Sequence, residues 1–346
     1  MQEFKLASLA EHVGGTVIGD GDIAITSAAP MGAAARGDIT FLSNVKYRTF
    51  LNSTSASAVI VQKEEETTAD AQLVVDDPYY AFCCIVELIF GHREHRDAGI
   101  SPNATIHETA SIGSGCCIYD NVVIENDVVI GDNAVIYPGV FVGRGTKIGS
   151  DCILYPNSVV FEQCSIGDRV IIQANATVGQ DGFGFATYAG EHHKIPHIKS
   201  VILEDDVEIG ANAAIERGSL QDTIIGSGAK IGDCVVIGHG ARIGRGCLLV
   251  PQVGIAGTAE LGQYCVLGGQ SAVVGHIKVG NMVMAAGQSA IINDIEDGKV
   301  VAGAPAIDAG QAKRAYSMLG TLPEMKRTLK RLSKRVEELE TALAEK

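Results

Sequence analysis

The sequence predicts a mainly β chain whose body is a parallel β-solenoid, flanked by a small N-terminal α/β domain and a C-terminal helical segment. Three observations carry that prediction. An aliphatic residue returns at every sixth position over two long stretches, the first hundred residues lack this period, and from Thr321 the apolar period changes to seven. A six-residue clock fits neither an ordinary helix nor an ordinary strand, and a fixed repeat of this kind means a solenoid whose coils bury one another.

The first stretch runs without a gap through Ile106, Ile112, Ile118, Ile124, Ile130, Ile136, Val142, Ile148, Leu154, Val160, Ile166, Ile172 and Val178. A short block follows at Leu203, Ile209 and Ile215, and a second long one spans Ile225 to Ile291 by way of Ile231, Ile237, Ile243, Leu249, Ile255, Leu261, Leu267, Val273, Val279 and Ala285. The hexads read aliphatic-Gly-x-x-small-x, with Gly, Asp or another small polar residue after the aliphatic. If each hexad is a short strand plus a turn, three close one triangular coil of about 18 residues, with the aliphatics stacked inside. Twenty-eight hexads then give about nine coils and a prism roughly 43 Å long, at a strand spacing of about 4.8 Å.

Residues 1–100 read as the α/β domain, with strand-like runs at Ala58-Val59-Ile60-Val61 and Leu73-Val74-Val75 and a helix over Tyr79 to Phe90. The solenoid is assigned to 101–305. It is broken from Gly179 to Ser200, where the clock stops, so this stretch must leave the prism as an irregular loop; long loops on rigid repeats usually carry function. In 306–346, Leu322, Leu329, Val336 and Leu343 interleave with Met325, Leu332 and Leu339, which is a heptad seam. A self-associating helix is the reading preferred over one packed on its own solenoid.

The 346 residues are 46% hydrophobic, ample for a core, and carry a formal charge of −14. That charge argues against a general nucleic-acid binder. No basic segment followed by an apolar run opens the chain, and no eighteen consecutive apolar residues occur, so a soluble cytoplasmic protein without a transmembrane segment is expected. Of the nine cysteines, Cys116, Cys152, Cys164, Cys247 and Cys265 fall at the small inward slot and read as core filler. Cys83-Cys84 and Cys116-Cys117 lack zinc-ligand spacing, and His192, His193 and His197 have no hexad column to position them. No metal is expected.

A coil of 18 residues also makes columns. His239 is the third residue of its hexad, 18 further on is Gly257, and 36 further on is Gly275, next to His276. The run is unbroken there, so His239, the Gly257 backbone and His276 should share one edge within roughly 10 Å, two strand spacings. A base that titrates near neutrality beside an unhindered backbone N–H suits acyl transfer to an amine: the imidazole takes the proton, and the N–H holds the developing oxyanion.

At this point the residues resemble one family over nearly the whole chain. Asp38-Ile39-Thr40-Phe41-Leu42-Ser43-Asn44-Val45-Lys46-Tyr47, Asp181-Gly182-Phe183-Gly184-Phe185 with Lys194-Ile195-Pro196, and Asp222-Thr223-Ile224-Ile225-Gly226 are similar to motifs of the UDP-3-O-(3-hydroxyacyl)glucosamine N-acyltransferases of lipid A biosynthesis. The resemblance implies a left-handed hand for the β-helix. It implies that Phe41 and Tyr47 sandwich a uracil, with Asn44 hydrogen-bonding to it, that Asp181, Phe183 and Phe185 belong to the substrate site, and that His239, Gly257 and His276 are base, oxyanion donor and second active-site histidine. It further implies a homotrimer, transfer from acyl carrier protein to UDP-3-O-acylglucosamine, and no cofactor beyond the phosphopantetheine that carries the acyl group. The chain departs from the family at Gly238-His239-Gly240, where Ala-His-Asn is usual, and at Glu216, where Asp is usual, so the sequence assigns His239 no orienting partner. Lys330 and Arg331, within a basic run on the heptad segment, are the candidate docking point for an acidic carrier protein. The alternatives are the related UDP-N-acetylglucosamine O-acyltransferases, which lack such an N-terminal domain, and a non-catalytic solenoid scaffold, which needs no aligned histidines.

Overall fold

A computed structural model describes residues 3–303 and 309–344 and divides the chain into two compact units, Met1–His95 and Arg96–Lys346. In the N-terminal unit a five-stranded sheet has the order Thr16–Gly19, Ala71–Val74, Ala58–Val61, Asp38–Phe41, Ser27–Ala28. The first pair is antiparallel and the rest are parallel. The all-apolar strand Ala58–Val61 is buried on both faces because its side chains alternate. Ala58 and Ile60 join a core with helices α1 (Leu6–Val13) and α2 (Pro78–Phe90), whereas Val59 and Val61 meet Met31, Ala34 and Leu51. Helix α2 starts where the Asp77 carboxylate accepts the N–H groups of Tyr79 and Tyr80, at 3.0 and 3.1 Å, with Pro78 at its first position.

The second unit is a parallel β-helix. Its strands are mostly two residues long and lie in three sheets of nine, eleven and ten, one per face of the prism. About ten turns result, against the nine counted from aliphatics, because strands also form at Gly99–Ile100 and Val300–Val301, beyond the ends of the regular hexads. Register follows the sequence period: Ile118 pairs with Ile136, Val142 with Val160, and Ile237 with Ile255. The inward aliphatics and the small residues two places before them fill one continuous core in which Ile136, Val140, Cys152, Leu154, Ala241 and Cys247 are all fully buried. The turns take a left-handed backbone residue once per hexad, at φ near 60° for Asn121, Asp127, Asn133 and Asn157, which is why so many hexads carry Asn, Asp or Gly there.

Two insertions offset the register. Between Val178 and Ile215, which remain paired, the Gly179–Ser200 excursion adds a hairpin, Phe185–Tyr188 against Glu191–Lys194. The stretch is therefore not the irregular loop that the sequence predicts: two exposed four-residue segments, Phe-Ala-Thr-Tyr and Glu-His-His-Lys, pair as antiparallel strands. A shorter insertion after Ala214–Glu216 sets the following coil 22 residues on. Both leave the same corner of the prism.

Helices α3 (Ala309–Leu319) and α4 (Leu322–Ala344) end the chain, and the predicted boundary between residues 305 and 306 lies outside the described residues. The heptad residues of α4 are all exposed in the single chain, Leu329 at 70% and Leu343 at 73%, so the solenoid does not cover this seam. Among the described residues no helix is long and apolar enough to cross a membrane.

Because each inward aliphatic touches coils above and below, Ile136→Ala should cost about 2–5 kcal/mol by leaving a cavity the rigid coils cannot close. Val123→Ala, at a side chain 37% exposed, should cost well under half as much. Urea unfolding of the two variants checks this, and equal midpoint shifts would contradict it.

Candidate active site

Successive strands of one face, Thr177–Gln180, Ala214–Glu216, Val236–Ile237, Gly254–Ile255 and Ala272–Val273, pair directly. The residues that follow them are therefore stacked at one corner. That corner carries the hairpin, the short insertion, His239, Gly257 and His276 in consecutive coils. The column read from the sequence is present.

His239 is held through its backbone. Its N–H donates to Glu216 Oε2 at 3.0 Å, and its carbonyl accepts from the N–H of Thr258 at 2.9 Å. Its Nδ1 lies 3.5 Å from Ser219 Oγ. The imidazole lies on Gly257: a Cβ there would be 2.7 Å from Nε2 and 2.9 Å from Cε1, so only glycine fits under the ring. Among the described residues no hydrogen bond is made by the Gly257 N–H. Residue 275, in the coil above, is glycine and offers no side-chain acceptor, whereas elsewhere the corresponding N–H is taken by the next coil, as Ser114 N–H is by Asp132 and Gln263 N–H by Asn281.

The sequence missed two neighbours. Glu216 was left without a role; it follows the inward Ile215, and its carboxylate reaches across to the turn of the next coil. His197 offered no signal, because it lies where the six-residue clock stops. Its ring is buried, stands 5.2 Å from that of His239 at 74° between planes, and neither of its nitrogens has a partner among the described residues. Burial pushes the His239 pKa below the ordinary 6.5, His197 and His276 act in the same direction, and the Glu216 charge opposes them.

In Asp181-Gly182-Phe183-Gly184-Phe185 the glycines meet the histidines. A Cβ on Gly182 would lie 2.8 Å from Glu216 Oε2, His197 Nε2 and His239 Cβ, and one on Gly184 would lie 3.0 Å from His197 Cε1. The expectation that Phe183 and Phe185 form part of the substrate site finds neither in the wall of the His239 cleft. They pack edge-to-face on each other, with Phe183 83% exposed. Asp181 is engaged by Lys194 at 2.5 Å, and that hydrogen bond holds its carboxyl below the usual range. The Asp222-Thr223 pair pins the corner: Asp222 Oδ1 accepts from Ser200 N–H at 2.9 Å, closing the excursion, and Thr223 Oγ1 accepts from Gly240 N–H at 2.8 Å. The cleft beside His239 has a volume of about 560 Å³ and is walled by Ser219, Gln221, Thr258, Glu260, His276 and Lys278 among others.

In the N-terminal unit a separate cavity of about 620 Å³ is lined by Phe41, Tyr47, Phe50 and Phe82. Phe41 is half-buried against Phe82, at 4.4 Å between ring centres, and Tyr47 is exposed. Asn44 is not in its wall: its Oδ1 accepts the N–H of Lys46 at 3.0 Å and starts the 3-10 helix Val45–Asn52. Lys330 and Arg331 lie exposed on α4. His192 bonds Thr187 at 2.9 Å on the exposed hairpin while His197 is buried, and among the described residues no three His, Cys, Asp or Glu side chains group to hold a metal.

Residues 222–257 match the family model of the bacterial transferase hexapeptide repeat, and residues 100–182 that of the GMPPB C-terminal domain. With its parallel β-helix of hexapeptide repeats and a histidine seated over a glycine, the chain is an acyltransferase of the hexapeptide-repeat class. Residues 22–88 match the family model described as UDP-3-O-(3-hydroxymyristoyl) glucosamine N-acyltransferase, LpxD. Curated relatives named UDP-3-O-acylglucosamine N-acyltransferase include one from Syntrophotalea carbinolica, 50% identical with 99% of each chain covered, and one from Geobacter sp. strain M21, 49% identical with 98% of each covered. The chain belongs to the UDP-3-O-acylglucosamine N-acyltransferase family. Among solved structures, an Arabidopsis UDP-N-acetylglucosamine acyltransferase aligns at 22% identity and a TM-score of 0.47, covering 59% of this chain and 71% of that one.

Gly257→Ala should lower kcat by about 10²-fold with little change in KM, because the methyl group displaces the imidazole by a fraction of an ångström or more. Steady-state kinetics check it, and a variant with unchanged kcat would mean that the ring need not lie where it does.

Proposed function

We propose that the enzyme transfers a 3-hydroxyacyl chain from the thioester of acyl carrier protein to the 2-amino group of UDP-3-O-acylglucosamine, a step of lipid A biosynthesis, in the cytoplasm. The observation that carries this reading is the His239 imidazole resting on Gly257, whose N–H makes no hydrogen bond among the described residues, in a chain of this family. His239 Nε2 takes a proton from the amine as its nitrogen attacks the thioester carbonyl. Gly257 N–H holds the oxyanion. The tetrahedral intermediate collapses with cleavage of the C–S bond, and the imidazolium returns the proton to the departing thiol of the phosphopantetheine arm. The chemistry asks for no metal or redox cofactor.

His276 holds the polar head of the acceptor. Phe41 and Tyr47 take the uracil between aromatic faces, and Asn44, whose Oδ1 is engaged as a cap, has its N–H groups left to donate to it. The substrate-site role of Asp181 is indirect, through the Lys194 pair at the base of the hairpin. A homotrimer with its active sites between neighbouring prisms gives the uncovered α4 seam a partner. The basic stripe that includes Lys330 and Arg331 suits the acidic carrier protein.

The test is amide formation from 3-hydroxyacyl carrier protein and UDP-3-O-acylglucosamine, with the 2-acetamido sugar as control acceptor. The wild type should acylate the amine, and His239→Ala should lower kcat by about 10²- to 10⁴-fold. Product on the acetamido sugar alone, or an unaffected variant, would refute the proposal.

The pH dependence has a definite sign. A base whose pKa is lowered stays neutral to lower pH, so the acid limb of kcat/KM should fall below 6.5. Glu216→Gln removes the charge that favours the imidazolium and should move that limb to lower pH still; a shift to higher pH contradicts the assignment.

A further inference from the structure

Thr258 stands between the two active-site coils and has been given no role. Three facts about it belong together. Its hydroxyl donates to the Gly257 carbonyl at 2.7 Å, and the same oxygen lies 2.5 Å from His276 Nδ1. Its backbone is in the left-handed region, at φ 63°. Among the described residues with that conformation, where Asn, Asp, Gln and Gly predominate, Thr258 is the one with a β-branched side chain. Branching at Cβ makes that conformation costly, and an outlier kept beside a reactive group points to function. The site has ready alternatives, since Gly240, one coil below in the same column, and His276, one coil above, share the conformation at φ 67° and 64°.

The hydroxyl carries one proton. With that proton directed to the Gly257 carbonyl, the oxygen can meet His276 Nδ1 only as an acceptor, so Nδ1 must carry a hydrogen. We propose that Thr258 is a positioning residue that fixes His276 as the Nδ1–H tautomer and presents Nε2 to the cleft as a hydrogen-bond acceptor for an O–H or N–H group of the sugar acceptor. This rests on the acyl-transfer reading of the cleft for the identity of the ligand, but not for the tautomer. The chain order explains the placement: Thr258 follows Gly257 directly, so the residue that supplies the oxyanion donor and the residue that orients the second histidine are neighbours on one turn. The acceptor's polar group and the thioester oxygen would be read by adjacent backbone positions.

Long-range ¹⁵N–¹H correlation spectra of the full-length enzyme, labelled at histidine and recorded where the ring is neutral, report the tautomer with no reaction needed. Wild-type His276 should show a protonated Nδ1 and a bare Nε2. Thr258→Val, which keeps the branched shape and removes the hydroxyl, should lose that preference, and Thr258→Ser should restore it. In the transfer assay Thr258→Val should lower kcat/KM for the sugar acceptor by about tenfold, mainly through KM, leave the KM of the acyl donor unchanged, and be rescued by Thr258→Ser. A wild-type His276 protonated at Nε2, or a Thr258→Val spectrum like the wild type, overturns the tautomer assignment whatever the reaction proves to be. The expected spectra with no kinetic effect on the sugar acceptor would leave the tautomer standing and overturn its role in binding.

Discussion

The 18-residue repeat of the β-helix is the constraint on which everything else depends. Each coil places its aliphatics on those of its neighbours, so a residue and its counterparts 18 places away occupy one column at strand spacing. Backbone pairing in the sheets fixes the position of turn residues that have few contacts of their own. His239, Gly257 and His276 come together because Ile237, Ile255 and Val273 are paired inside the prism. The site is a consequence of core register, and the register tolerates insertions only where a coil turns a corner.

The body of the fold was legible because the period is strict. A gapless run of aliphatics from Ile106 to Val178 leaves no other architecture, and columns follow by counting. Helix α2 was legible as the apolar run from Tyr79 to Phe90, and the Asp77 cap with Pro78 sets its start one residue earlier. The hairpin was not: four-residue strands such as Phe185–Tyr188, exposed on both faces, carry no alternation of apolar and polar residues to betray them. For the same reason His197 was invisible, since its burial depends on how the excursion folds back onto the corner. The glycines of the Asp181 to Phe185 motif carry a constraint that the sequence reading did not draw from them. A phenylalanine in a motif suggests a binding surface, but here close approach of two imidazoles and a carboxylate requires that residues 182 and 184 lack a Cβ.

The polar corner shows how the chain compensates for its departures from the usual motif around His239. Gly240 supplies no side chain to orient His239, yet its N–H is taken by Thr223 and its carbonyl by Gln221 Nε2 at 2.9 Å. Glu216 reaches the His239 amide with its longer side chain. Orientation of the imidazole thus comes from clamping its backbone on both sides and from packing the ring between Gly257 and His197. Burial then lowers its pKa below the ordinary value, and the carboxylate that clamps it opposes that effect only in part.

The central claim is that the imidazole of His239 and the amide of Gly257 act as one unit. A double-mutant cycle on kcat/KM for amide formation, with His239→Ala, Gly257→Ala and the double variant, tests it most directly. Groups that act together lose their effect together, so the double variant should be about as slow as the slower single variant. Losses that multiply would show that the two contribute independently, and the column would then be a coincidence of the fold.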